Sequence, residues 1–106
     1  MTRKQASKSM LKELPIPKQA MSAKESMEFV RGWIIDKELY CSLNVGVWGK
    51  KESAFWGLFL SDVAHHIADA LSKEKAQNKS KTLRAIQNSF NKKIETPSDE
   101  FSGEFV

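Results

Sequence analysis

Trp56, Leu60, Val63, Ile67 and Leu71 recur at intervals of four, three, four and four residues. At 100° per residue they fall on one narrow arc, flanked by Phe59, Ala64 and Ala70. This stripe predicts a long amphipathic helix from about Ser53 to Lys73 whose apolar face must be covered. In a chain of 106 residues, 41% apolar and 28% charged, one core built against that helix is the expected solution.

What covers it is read from the flanking patterns. Leu39, Cys41, Leu43 and Val45 alternate with Tyr40, Ser42 and Asn44, which predicts a half-buried strand. Gly46 and Gly49 bracket Val47-Trp48 and suggest a bend with a short second strand. Upstream, Ser22 and Glu25 have capping-box spacing. Met27, Val30 and Ile34, widened by Phe29 and Trp33, then predict a helix over residues 23–35, with Gly32 as its weak point. Leu14-Pro15-Ile16-Pro17 reads as a polyproline-like strap or an edge strand, with Leu14 and Ile16 as the residues to pin it to the core.

Downstream, residues 73–81 are charged and polar and read as a loop, with Ser80 as N-cap of a third helix. Leu83, Ile86, Phe90 and Ile94 form that helix's stripe, and Pro97 ends it. The expected organisation is a disordered basic arm (1–13), one domain (14–100) and a C-terminal tail (101–106) carrying Phe101 and Phe105. The fold class is α+β: three helices, the long central one packed on a small antiparallel sheet.

Cys41 is the sole cysteine, so no intramolecular disulfide can form. Residues 1–21 hold no apolar run of signal-peptide length, and Phe55–Leu60 falls far short of the ~20 residues of a membrane span. A cytoplasmic protein without membrane partners is expected. Its charge is uneven. Residues 72–94 carry seven bases and one acid, whereas residues 22–71 carry five bases and seven acids. Lys79, Lys81 and Arg84 open the third helix and are the candidate residues for an accessory nucleic-acid-binding role. No helix-turn-helix, zinc-finger, RNA-binding or phosphate-loop pattern accompanies them.

The arrangement nearest to a reactive site is Asp62-Val63-Ala64-His65-His66-Ile67-Ala68-Asp69. Asp62 and His66 stand four apart, as do His65 and Asp69, the spacing at which a carboxylate and an imidazole meet across one helical turn. Asp62, His66 and Asp69 are thus the candidates for a metal or an acid–base pair. A structural zinc wants four protein ligands and a catalytic one three. The plainer reading has Asp62 hydrogen-bonded to His66 at the core boundary and His65 in solvent. Cys41, on the apolar face of its strand, reads as a small hydrophobe. No cofactor and no catalytic residue are expected.

Trp56-Gly57-Leu58-Phe59-Leu60-Ser61-Asp62-Val63-Ala64-His65-His66-Ile67-Ala68 resembles the central segment of a small family of bacterial proteins of unknown function. The Leu39–Trp48 strand and the Pro97-Ser98-Asp99 ending fit that resemblance as well. It implies a compact bacterial cytoplasmic domain over roughly Leu14–Glu100 and supplies no activity, substrate or site. The expected function is a non-enzymatic, self-associating interaction module. The homodimer is argued from the Leu39–Val45 strand, whose local partners are poor. Tyr40, Trp48 and Phe55 are the expected interface residues.

Overall fold

The computed structural model describes residues 11–96; most of the basic arm and the tail from Pro97 lie outside the described residues. In order, the elements are α1 (Lys18–Ser22), β1 (Val30–Ile35), β2 (Glu38–Leu43), a 3₁₀ turn (Gly49–Lys51), α2 (Glu52–Lys75) and α3 (Lys79–Glu95). The fold is α+β: three helices, the central one long, with a two-stranded antiparallel sheet.

Two hairpins make up most of it. In the first, β1 and β2 pair antiparallel with Val30 opposite Leu43, Trp33 opposite Tyr40 and Ile35 opposite Glu38. The ladder gains one more bond where the Asn44 amide donates to the Phe29 carbonyl at 3.0 Å. Asp36 and Lys37 form the two-residue turn, with φ of 50° and 72°. Both values are left-handed, which matches the twist of the strands but usually favours Asn-Gly or Asp-Gly.

The predicted helix over 23–35 is therefore corrected to a strand beginning at Val30. Residues 30 and 34 share a face at a helical spacing of four, and they also share one at a strand spacing of two, so periodicity alone could not separate the two. The β-branched Val30, Ile34 and Ile35 and the left-handed turn decide for strand. Ser22 ends α1 and caps no helix at Glu25; α1 starts directly after Pro17, which keeps polyproline-like backbone. Leu14 and Ile16 are 86% and 57% exposed, so the strap does not pin to a core. The expected second strand at Val47-Trp48 is instead the approach to the 3₁₀ turn, with left-handed glycines at 46 and 49. Since β1 lies within the same chain, the Leu39–Val45 strand is not an orphan, and the dimer argument built on its unmet hydrogen bonds falls.

In the second hairpin, α2 and α3 pack side by side. The loop expected over 73–81 shrinks to residues 76–78, because α2 continues to Lys75 and closes on left-handed Ala76. The Ala76 amide donates to the Ser72 carbonyl at 3.1 Å and that of Gln77 to the Leu71 carbonyl at 3.3 Å. The N-cap of α3 is Asn78, two residues before the expected Ser80; its side chain accepts from the Lys81 amide at 2.9 Å. The helix ends at Glu95, and Thr96 leaves helical backbone before Pro97.

Ala68, 1% exposed, is the one fully buried residue among the described residues. It shares a face of α2 with Ala64 and Ser72, spaced four apart, and small side chains there let α3 approach. The expected stripe is present on α2, but its middle is open: Leu60 and Ile67 are 45% and 43% exposed. No strand residue comes within 8 Å of α2 or α3 between Cα atoms. Hairpin and helices meet instead through Phe29, at the root of β1.

Candidate functional site

Phe29 is the centre of an aromatic cluster at the N-terminal end of α2. Its ring lies 4.8 Å from Phe59, 5.6 Å from Trp56 and 6.0 Å from Trp48, between centroids. Trp48 in turn lies 4.6 Å from Phe55, and Trp56 lies 5.8 Å from Phe59. Edge-to-face and tilted geometries of this kind add to the burial of apolar area.

Glu52 fastens the loop that carries Trp48. Its carboxylate accepts from the Gly46 amide at 2.9 and 3.0 Å, the Trp48 amide at 3.0 Å and the Trp56 indole nitrogen at 3.0 Å. The Gly46 amide, then the Trp56 and Trp48 donors, hold the carboxyl below its ordinary range. A carboxylate held this way, in the first turn of a helix, is an ionised anchor and not a proton donor. Because its folded-state pKa is lowered, the stabilisation is complete above the ordinary value of 4.5 and is lost as pH falls below it. Glu52→Gln is expected to lower the melting temperature at pH 7 by several degrees and to flatten the loss of stability as pH falls below the ordinary carboxyl value. Melting curves across that range check this; parallel pH profiles for variant and parent would show that Glu52 anchors nothing.

The candidate metal residues Asp62, His66 and Asp69 lie along one side of α2. Asp69 is engaged by Lys79 from α3, Oδ1 to Nζ 3.0 Å, and that ammonium holds the Asp69 carboxyl below its usual range. Among the described residues, no group of three or more His, Cys, Asp or Glu side chains is placed to hold a metal ion. Lys79, Lys81 and Arg84 occupy the first turns of α3 as expected, with Lys79 tied to Asp69. Of the interface candidates, Trp48 and Phe55 are brought together in the aromatic cluster. Tyr40 sits on β2 opposite Trp33, its hydroxyl donating to Glu38 at 3.4 Å. Cys41 is half-buried opposite Gly32. Sequence reasoning missed Phe29 and Glu52 as a pair of anchors. The available signal was Glu52 four residues before Trp56, at the start of the apolar stripe.

A cleft of about 720 Å³ runs between residues 12–17, α1 and residues 26–33, with Met21, Met27, Val30 and Trp33 on its walls. Arg31 spans one side, paired with Glu28 at 2.8 Å and Glu13 at 3.3 Å. Glu28 chiefly raises the pKa of Arg31, so the guanidinium is charged throughout. The Ser26 hydroxyl, also lining the cleft, donates to the Ala20 carbonyl at 2.7 Å. The cleft is an apolar surface with a charged rim, and none of these groups forms a nucleophile–base pair. No helix among the described residues is long and apolar enough to cross a membrane.

Two hairpins joined at an aromatic cluster define a small α+β domain. The chain belongs to the family described as a domain of unknown function (DUF5076), whose profile matches residues 13–98. That agrees with the family resemblance carried by the Trp56–Ala68 segment. Among solved structures, it is similar to a protein from the photosynthetic bacterium Rhodopseudomonas palustrus CGA009, provisionally described as a pyruvate dehydrogenase. The two share 23% identity over 91% of this chain and 96% of that one, with a TM-score of 0.67. At that identity the likeness shows a common fold and carries no activity across. No curated protein matches the chain.

Proposed function

We propose that this protein is a non-enzymatic interaction module of the bacterial cytoplasm that associates with itself as a homodimer. The observation that carries the reading is the single fully buried residue, Ala68, among the described residues. A folded domain of this size ordinarily removes about two-thirds of its surface from water, and large apolar side chains drive that burial. Here Leu60, Ile67, Phe90 and Ile94 on the helices and Ile34 and Ile35 on the hairpin stay 43–64% exposed. Apolar area on that scale, divided between two elements of one chain, is the mark of a surface completed by a partner. The sole cysteine supports a reducing compartment. Light scattering at micromolar concentration tests the proposal: twice the 12.0 kDa of one chain is expected. A 12.0 kDa species that does not change on concentration overturns it.

A further inference from the structure

Each chain displays two unsatisfied apolar faces of different kinds. One is the distal half of the β-hairpin, where Ile34 and Leu39 face each other across the strands and are 61% and 37% exposed. The other is the helix pair, with Leu60 and Ile67 at 45% and 43% on α2 and Phe90 and Ile94 at 47% and 64% on α3. In two-layer α+β domains a sheet face and a helix face cover each other. Among the described residues, Cα atoms of the strands keep more than 8 Å from those of both long helices, and the exposures of Ile34, Leu60 and Ile67 show that neither face covers the other at these positions. The root of the hairpin is fixed by Phe29 in the aromatic cluster and by Glu52 of α2, whose carboxylate holds the loop that follows β2.

Resting on the self-association proposed above, we infer that the dimer is reciprocal: the β1–β2 hairpin of each copy lies across the α2–α3 pair of the other, Ile34 and Leu39 meeting Leu60, Ile67 and Phe90. A purely helix-to-helix dimer leaves the hairpin face in water, whereas exchange covers both faces through one two-fold axis. At about 200 Å² for a fully exposed large side chain, the six residues offer roughly 600 Å² of apolar area per copy. A standard interface buries about 800 Å² per partner, of which roughly 500 Å² is apolar, so the exchange is large enough to be stable. Charge fixes its direction. The hairpin turn carries Asp36 and Glu38 against Lys37, and the last turn of α3 carries Lys92 and Lys93 against Glu95, which draws the tip toward the end of α3.

Cross-linking in a Cys41→Ser background tests this. One chain carries Ile34→Cys and a second, longer by a tag, carries Ile67→Cys; the two are refolded together and oxidised. A disulfide requires Cα atoms within about 7 Å, and the mixed species of intermediate mass is expected as the dominant product. A chain bearing both substitutions is expected to run as a covalent dimer. If light scattering finds a dimer while only Ile67-to-Ile67 cross-links form, or the doubly substituted chain closes within a monomer, the exchange is wrong and self-association stands. If every variant and the parent chain are monomeric, both readings fall.

Discussion

Phe29→Ala is expected to cost about 3 kcal/mol of stability, at the low end for removing a phenyl ring from a packed site because the ring is only half-buried. Phe29 stands at the root of β1 and touches Trp48, Trp56 and Phe59, three rings carried by the 3₁₀ approach and by α2. Its removal leaves those rings facing a gap and frees the hairpin from the helices, while the β1–β2 ladder and the α2–α3 pairing keep their own hydrogen bonds. The expected signature is a lowered urea midpoint together with faster amide exchange in residues 30–43 than in α2. Chain concentration is held constant, since association adds to apparent stability. A loss below 1 kcal/mol, or equal exchange in both hairpins, would show that the cluster does not join them.

Ala68→Leu is expected to destabilise the helix pair by about 1–3 kcal/mol through overpacking. At 1% exposure Ala68 has no room for three more carbons, and the backbones of α2 and α3 must separate to admit them. The same substitution at Ala70, exposed on α2, leaves helix propensity nearly as before and serves as control. Thermal melts of the two variants compare them directly. Equal melting temperatures would mean that α3 does not close over position 68.

How much of this was legible beforehand differs by element. The stripe Trp56–Leu71 located α2 because five apolar residues in register leave no other periodic solution, and Leu83–Ile94 with Pro97 located α3 equally well. The strand around Cys41 was legible from strict alternation. Its partner was not: Val30 and Ile34 satisfy both periods, and the decisive Asp36-Lys37 turn lacks the glycine that usually announces a hairpin. Of the candidate site, the position of Asp69 along α2 followed from the sequence, whereas Trp48 was expected on a short strand and Lys79 in a loop, and the Asp69–Lys79 pairing required the fold. The two anchors were hidden for different reasons. Glu52 reads as one acid among many until its partners, the amides of Gly46 and Trp48, are placed by left-handed glycines. Phe29 reads as helix stripe until β1 is recognised.

The pairing pattern within the chain also bears on how quickly it reaches its structure. β1 meets β2 across two residues, and α2 meets α3 across three, so most contacts join neighbours in sequence. Chains dominated by such local contacts lose little loop entropy on the way to the transition state and fold among the fastest of small domains. Longer stretches are spanned where Phe29 seats against Trp48, Trp56 and Phe59 and where Arg31 pairs with Glu13. A slow refolding phase that depends on concentration would then report on encounter between chains, the second-order step that the proposed self-association adds.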